Sequence, residues 1–254
     1  MRAGKSNRAA LFPFSGEGRG FYIPRGGKSM EVIAHVRNGF PAKFGLPRQS
    51  GLVDAVESLV VFEPRYRVAE ALRGLEGYSH IWLLWDFHQA HREPGKWSPT
   101  VRPPRLGGNM RMGVFATRSP FRPNGIGLSC VRLVRIEETA HDGLALRVAG
   151  ADMMDGTPVY DIKPYLPYVD CHPEAVGGFA AAHVEDHLDV ECPPALLERI
   201  PSEQREAVLG LLAQDPRPAY QQDPERVYGF VYAGMEIRFT VSGGVLHVRD
   251  VREC

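Results

Sequence analysis

Arg118 and Arg122 lie in a segment, GVFATRSPFRPNGIGLS (113–129), whose other residues predict a β-hairpin. Apolar residues that favour strands lead into and out of the turn at Pro123-Asn124-Gly125. A hairpin does not require guanidinium groups. The two arginines are therefore candidates for binding an anion, because the planar guanidinium pairs well with carboxylate and phosphate.

Positive charge is concentrated in one part of a neutral chain. The 254 residues contain 30 basic and 30 acidic side chains, yet Pro94 to Ile136 holds eight basic residues and no Asp or Glu. These residues are Lys96, Arg102, Arg105, Arg111, Arg118, Arg122, Arg132 and Arg135. Two interpretations stay open: a solvated face whose acidic partners lie elsewhere in the sequence, or an electropositive surface that receives phosphate or carboxylate.

His88 and Gln89 follow the apolar run HIWLLWDF (80–87), where a buried strand would emerge into solvent. The ends of rigid strands are favoured positions for ligand-binding groups, and simple capping of the strand is the alternative. A metal site is not predicted. His183 and His187 have helical spacing, but no third ligand and no glutamate in HExxH spacing accompany them.

Two proline-containing segments carry basic side chains. DGTPVYDIKPYLPYVD (155–170) holds Lys163 among three prolines and three tyrosines, and DPRPAY (215–220) places Arg217 between two prolines. Proline restricts the backbone, so an arginine beside it loses less conformational entropy when it binds an anion. The structural alternatives are a proline-rich edge over the core and the end of a helix.

Composition argues against several classes of protein. The apolar runs fall far short of the roughly 20 residues of a membrane-spanning helix, and the N-terminus lacks the apolar core of a signal peptide, which predicts a cytoplasmic protein. The four cysteines show no CxxC spacing and are expected to be reduced. Neither Gly16, Gly18 and Gly20 nor Gly27-Lys28-Ser29 meets the spacing of a nucleotide-binding loop.

The distribution of apolar runs predicts a mainly β fold. Residues 1–30 are rich in Gly and Arg without apolar periodicity and predict a flexible basic tail. Strands are predicted at 31–36, 56–62, 80–87, 113–117, 126–136 and 144–149, with a short helix at Val68–Arg73. Many short strands joined by Gly and Pro turns are typical of a barrel or a sandwich.

The first domain is predicted to span residues 31–170. A linker and a smaller α+β domain are predicted to follow it at 171–254. The amphipathic stretch SEQREAVLGLLAQ predicts a helix that ends at Asp215-Pro216. The runs RVYGFVYAG, MEIRFTV and VLHVRDV predict three strands, and Ser242-Gly243-Gly244 predicts a hairpin turn between the last two.

Five segments together resemble the TrmO (TsaA-like, YaeB) family. They are PRQSGLVDAVESL (47–59), GLEGYSHIWLLWDFHQ (74–89), PPRLGGNMRMGVFATRSPFRPNGIGLS, DMMDGTPVYDIKPYLP and LAQDPRPAY. The resemblance extends from residue 31 to the end, and RSPFRPNGIGLS is highly specific. It implies a methyltransferase that uses S-adenosylmethionine to methylate N6 of threonylcarbamoyladenosine, the modified base beside the anticodon of certain tRNAs.

The resemblance also implies a TsaA-like β-barrel that binds S-adenosylmethionine near a homodimer interface, and a C-terminal domain that engages tRNA. The implied cofactor contacts are Pro47, Arg48, Gln49, His88, Gln89, Arg111, Leu128, Asp152, Met153, Met154, Asp155, Gly156 and Thr157.

Within this resemblance, the cations are expected to hold tRNA phosphates and the threonyl carboxylate of the target base. The candidates for substrate binding are Arg118, Arg122, Asn124, Lys163, Arg217 and Tyr220, and the candidates for catalysis are Asp155, Asp161 and Lys163. Either aspartate is a candidate acceptor of the N6 proton. Two alternatives are kept: a methyltransferase of the same fold acting on another nucleoside or small molecule, and a non-catalytic RNA-binding barrel.

Overall fold

The computed structural model describes residues 30–90, 97–103, 110–183, 187–217 and 223–254. Residues Val32–Cys254 form one compact unit. The predicted basic tail lies outside the described residues up to position 29, and so do Lys96, Arg105 and Tyr220.

The fold is mainly β, as the sequence predicts. The strands are β1 (Ala34–Arg37), β2 (Glu57–Phe62), β3 (His80–Asp86), β4 (Thr100–Val101), β5 (Met112–Gly113), β6 (Ile126–Thr139), β7 (Gly143–Ala149), β8 (Pro158–Pro164), β9 (Asp189–Glu191), β10 (Tyr228–Tyr232), β11 (Met235–Ser242) and β12 (Val245–Glu253). The α-helices are α1 (Pro167–Asp170), α2 (Pro194–Leu197) and α3 (Arg205–Ala213). In the part of the chain that the structure describes, no helix has the length and apolarity needed to cross a membrane.

Six strands are hydrogen-bonded in the order β1-β2-β7-β6-β3-β8, and β8 pairs again with β1 at Ala34↔Val159. Each of these pairs is antiparallel. Along β3 buried and half-buried side chains alternate, so that Ile81, Leu83 and Trp85 enter the core. This period of two is the expected result of strand geometry when one face of a sheet is buried.

The C-terminal part is β-rich and contains the predicted helix and hairpin. Its four-stranded sheet has the order β10-β11-β12-β9, with β9 parallel to β12. Gly243 (φ 59°) and Gly244 (φ 81°) form the β11–β12 turn in the left-handed region that glycine adopts without strain. Leu211 and Leu212 of α3 pack with the buried face of this sheet, and this core also includes Phe40 from the N-terminal part.

The predicted hairpin at 113–129 is wrong. Met112–Gly113 pair with β4 rather than with β6, and Val114–Ala116 form a 3-10 helix instead of a strand. The backbone N–H and the hydroxyl of Thr117 both donate to the Val114 carbonyl, at 3.2 and 2.9 Å. Local polar bonds of this kind compete with strand pairing, and apolar periodicity does not reveal them.

Two smaller differences concern the proline-rich segment and the short helix. The sequence does not predict β8 as a sheet strand, yet β8 pairs with both β1 and β3. Its two prolines, Pro158 and Pro164, are the first and last residues of the strand, where a missing N–H is tolerated. The helix predicted at Val68–Arg73 is a 3-10 helix over Ala69–Leu72.

Candidate functional site

The loop between β5 and β6 presents Arg118 to solvent and keeps Arg122 closer to the protein. Arg118 Nη1 donates to the side-chain oxygen of Gln49 at 2.5 Å, although the two residues are far apart in sequence. Arg122 is half-buried, and its Nη1 donates to the Thr117 carbonyl at 3.0 Å. This loop, residues 114–125 and named the arginine loop for its two cations, is therefore joined to the segment PRQ (47–49), and Arg118 is the more accessible of the two.

A chain of hydrogen bonds runs from the core to Asp152. Trp85 Nε1 donates to Ser129 Oγ at 2.9 Å, and Ser129 Oγ donates to Asp152 Oδ1 at 2.5 Å. The indole N–H only donates, so the serine hydroxyl accepts from Trp85 and is left with its own proton for the carboxylate. Because Ser129 is 1% exposed and Trp85 is 7% exposed, the surrounding protein holds both side chains of this hydrogen-bond chain in place.

Burial raises the pKa of the Asp152 carboxyl above its ordinary value. The hydrogen bond from Ser129, the charge of Arg118 and a hydrogen bond from the Ser50 backbone favour the ionised form and oppose this shift. Asp152 thus lies where three parts of the chain meet: the segment that follows PRQ, strand β6 and the arginine loop.

Close backbone approach brings the segment after PRQ to Asp152. The Gly51 N–H donates to the Gly150 carbonyl at 2.9 Å, and the Gly150 N–H donates to the Val56 carbonyl at 2.9 Å. Gly150 has φ 76°, and a Cβ built there would lie 3.1 Å from a carboxylate oxygen of Asp54 and 3.2 Å from the Gly51 backbone. Glycine therefore allows both the left-handed conformation and the contact.

The other residues of DMMDGT (152–157) mainly contact the protein core and the chain after β1. Met153 and Thr157 are each 1% exposed, and Met153 belongs to the core of the six-stranded sheet. Asp155 Oδ1 accepts from the Asn38 N–H at 3.0 Å, and its other oxygen lies 3.7 Å from Arg37 Nη1. Asp155 therefore fixes the chain after β1, while the half-buried Met154 and Gly156 complete the same turn.

Asp161 and Lys163 form an ion pair on β8. Lys163 Nζ lies 3.1 Å from Asp161 Oδ2, and both side chains are about half exposed. Leu84 of β3 is opposite Asp161 on one side and opposite Leu128 on the other, so these residues form one row across three strands. The structure thus brings the predicted cofactor residue Leu128 and the predicted catalytic residue Asp161 to the same face.

Other predicted site residues surround this region. His88 and Gln89 are exposed immediately after β3, and the neighbouring Phe87 N–H donates to the Gly125 carbonyl of the arginine loop at 3.2 Å. Asn124 is exposed in that loop. The exposed Arg111 donates from Nη1 to Thr100 Oγ1 at 3.1 Å, and Pro47 is buried.

Arg48 connects PRQ to the C-terminal segment. Its Nη2 donates to the carbonyls of Asp215 and Arg217, at 2.8 and 3.3 Å. Arg217 in turn donates through Nε and Nη2 to the two carboxylate oxygens of Asp215, at 2.8 and 2.9 Å, and this pairing raises the pKa of Arg217. The Arg217 side chain is only 13% exposed.

Three residues of this arrangement were not predicted from the sequence: Trp85, Ser129 and Asp215. Ser129 is a polar residue at an inward-facing position of a strand whose other inward positions are apolar, and this pattern is a readable signal. Asp215 has φ 47°, uncommon for a residue with a side chain, at the end of α3. The sequence reveals the Asp-Pro helix end there but not the ion pair.

Known proteins share this arrangement of domains. Residues 35–171 match the family model of the tRNA-methyltransferase O N-terminal domain, and residues 185–254 match that of the TrmO C-terminal domain. The tRNA (adenine(37)-N6)-methyltransferase of Escherichia coli strain K12 is 42% identical over 221 residues, 84% of this chain and 92% of that protein. A putative S-adenosylmethionine-dependent methyltransferase of Pseudomonas aeruginosa is 42% identical over 217 residues, 79% of this chain and 87% of that protein. The crystal structure of TrmO from P. aeruginosa has a TM-score of 0.72 and 36% identity, covering 89% of this chain and 97% of that one.

Proposed function

Because the chain belongs to the tRNA-methyltransferase O family, we propose that it methylates N6 of threonylcarbamoyladenosine beside the anticodon of tRNA, with S-adenosylmethionine as the cofactor. The observation that carries this proposal is the meeting of Gln49, Arg118 and Asp152, which puts an exposed cation near a half-buried carboxylate. The target nucleobase bears a carboxylate, which a cation can bind, and it must lose a proton, which a protein carboxylate can accept.

The side chains around this point fit the cofactor. S-adenosylmethionine, when bound, supplies a methyl group from its positively charged sulfonium. Leu128 is 53% exposed and offers apolar surface to an adenine ring, and the exposed Gln89 offers polar groups to the ribose hydroxyls. Arg111 is a candidate partner for the cofactor carboxylate. The negative charge of the Asp152 carboxylate is suited to the positively charged sulfonium. The remaining contacts implied by the resemblance, including Pro47 and Gln49, stay predictions, whereas the Arg48 guanidinium is directed to the C-terminal segment.

The substrate side is assigned to the cations. Arg118 is exposed and held by Gln49, so its guanidinium is oriented before the RNA arrives. We assign it to the threonyl carboxylate, and Arg122, Lys163 and Asn124 to the surrounding nucleotides. Arg217 is mostly paired with Asp215, so we assign this pair to shaping the C-terminal edge of the site. Orientation of this kind supplies most of the rate enhancement in a direct displacement.

Domain organisation, assembly and location complete the proposal. We assign residues 31–170 to a cofactor-binding β-barrel and 171–254 to a tRNA-engaging domain. Large apolar side chains near the site are exposed, with Phe115 at 72% and Phe121 at 53%, and we propose that a second copy of the chain covers them in a homodimer. A tRNA-modifying enzyme of this kind is expected to work in the cytoplasm, where its substrate is used.

Cofactor binding separates the proposal from its alternatives. Ligand at 100 times its dissociation constant stabilises a folded protein by about 2.7 kcal/mol, so S-adenosylmethionine should raise the thermal unfolding midpoint measurably. A non-catalytic RNA-binding barrel would show no such shift. A methyltransferase for another substrate would show the shift but would transfer no labelled methyl to tRNA that carries threonylcarbamoyladenosine.

Arg48→Ala is expected to weaken the use of tRNA more than the binding of cofactor. The guanidinium holds the carbonyls of Asp215 and Arg217, and loss of this charged donor should raise KM for tRNA about tenfold. Steady-state kinetics with tRNA and calorimetry with S-adenosylmethionine measure the two effects. Arg199→Ala is the matched control, because Arg199 also donates to a carbonyl, that of Val251 at 3.3 Å. An equal loss in both measurements for Arg48→Ala would place its guanidinium on the cofactor instead.

A further inference from the structure

Three carboxylates lie in the region assigned to the reaction, and their surroundings differ. Asp155 accepts from the Asn38 N–H and lies near Arg37, and its side chain is 40% exposed. Asp161 is 47% exposed, pairs with Lys163 and accepts from the Ile162 N–H at 2.9 Å. Each of these two carboxylates therefore has a cation close by, at 3.7 and 3.1 Å, and also accepts from a backbone N–H.

Asp152 differs because the side chain that hydrogen-bonds to its carboxylate is an uncharged hydroxyl. Ser129 donates to Oδ1 at 2.5 Å, and the Ser129 hydroxyl is itself held by Trp85 Nε1 at 2.9 Å. Neither partner is charged. The backbone N–H groups of Asp152 itself and of Ser50 also donate to the carboxylate, and because a carboxylate has about four lone-pair sites, it can still accept a further proton.

The elements packed around Asp152 contribute neutral groups and one cation. Strand β6 contributes Ser129, and the segment after PRQ contributes the Ser50 backbone. The loop between β5 and β6 contributes Arg118, the charged side chain among the described residues that acts on Asp152. Because Gln49 accepts from Arg118 Nη1 at 2.5 Å, part of the Arg118 hydrogen-bonding capacity is directed to PRQ. The cation thus lies beside the carboxylate with other donors available for a substrate anion.

We propose, resting on the function assigned above, that Asp152 is the catalytic base of the methyl transfer and that Ser129 is the residue that positions it. A carboxylate oxygen of Asp152 takes the N6 proton of the threonylcarbamoyladenosine whose carboxylate is held by Arg118. The electron pair of N6 forms the bond to the methyl carbon. The carbon–sulfur bond of the donor breaks, and its electron pair stays on sulfur to give the neutral thioether. Asp152 then releases the proton to water.

Burial supports this role, because a pKa that is raised brings a carboxyl closer to the operating pH and makes it a better proton acceptor. The reaction needs Asp152 ionised, so kcat should fall as the pH is lowered through its pKa. Ser129→Ala removes a hydrogen bond that lowers this pKa. The pKa of Asp152 should therefore rise further in Ser129→Ala, and the acidic limb of the kcat profile should move to higher pH.

The test compares Asp152→Asn, Ser129→Ala and the control Asp142→Asn, which changes a carboxyl in the turn between β6 and β7. We expect kcat of Asp152→Asn to fall about 100-fold or more, and we expect its pH profile to lose the acidic limb. The limb of Ser129→Ala should shift upward in pH, and that of the control should stay unchanged. Calorimetry should show Ser129→Ala binding S-adenosylmethionine within about threefold of the unmodified protein, because Ser129 is 1% exposed and is not among the implied cofactor contacts.

An acidic limb that stays at its original pH in Asp152→Asn or in Ser129→Ala would overturn the inference. If Asp152→Asn does not fold, as judged by its thermal unfolding, the shift in Ser129→Ala alone decides. Absence of methyl transfer by the unmodified protein would instead contradict the proposed function, so the two failures are distinguishable.

Discussion

Arg118→Ala is expected to lower kcat/KM for tRNA that carries threonylcarbamoyladenosine by about 100-fold, with little change in the affinity for S-adenosylmethionine. Arg118 is exposed, is oriented by Gln49 and lies beside Asp152, where we place the carboxylate of the target base. Loss of a charge-assisted hydrogen bond to a substrate carboxylate removes both binding and alignment, and alignment strongly affects a direct displacement. Methylation kinetics with defined tRNA and calorimetry with the cofactor measure the two quantities.

Arg135→Ala is the matched control for this experiment. Arg135 belongs to the same acid-free segment of the sequence and to β6, but it pairs with Glu137, well along the strand from the arginine loop. Its removal should change kcat/KM less than threefold, because Arg135 is paired with Glu137 and is assigned no contact with the target base or the cofactor. Comparable losses for Arg118→Ala and Arg135→Ala would show that the segment acts only through general attraction for RNA.

Gly127→Ala is expected to destabilise the protein by about 3 kcal/mol. A Cβ at position 127 would lie 2.2 Å from the Trp85 indole, and Gly127 is directly opposite Trp85 in the β3–β6 pairing. Trp85 is 7% exposed and donates to Ser129, so it cannot turn away without losing that bond. Denaturant unfolding measures the loss, and residual methylation at low temperature should fall because the Ser129–Asp152 contact is displaced.

Gly77→Ala provides the comparison for this stability effect. No atom lies within 4 Å of a Cβ built at Gly77, and its φ is not in the left-handed region. The free energy of unfolding should therefore change by less than about 0.5 kcal/mol. Equal stability of Gly127→Ala and Gly77→Ala would mean that the indole does not occupy the space beside Gly127.

Patterns of apolar residues and the residue preferences of turns predicted most of the fold. The apolar run HIWLLWDF predicted β3, and Ser242-Gly243-Gly244 predicted the last hairpin, because both depend on local residue preference. The strand β8 was not predicted, since its two prolines look unfavourable until they are seen at the strand ends. The hairpin at 113–129 was wrong because hydrogen bonds of Thr117 stabilise a local turn.

The candidate site could be predicted only in part. Motif resemblance pointed to PRQ and DMMDGT, but not to the way that each residue is used. Within DMMDGT, Met153 enters the core, Asp155 holds the chain after β1, and Asp152 meets Ser129. These differences arise from contacts between distant segments, such as Ser129 with Asp152 or Arg48 with Asp215, and sequence spacing carries no information about them.

The most direct test of the account is nucleoside mass spectrometry of tRNA after incubation with the purified protein and S-adenosylmethionine. Two preparations of one tRNA are compared, one carrying threonylcarbamoyladenosine and one carrying plain adenosine at that position. We predict that threonylcarbamoyladenosine gains a single methyl group at N6 and that the tRNA with plain adenosine stays unmethylated. Methylation of both preparations, of another nucleoside, or of neither would contradict the account.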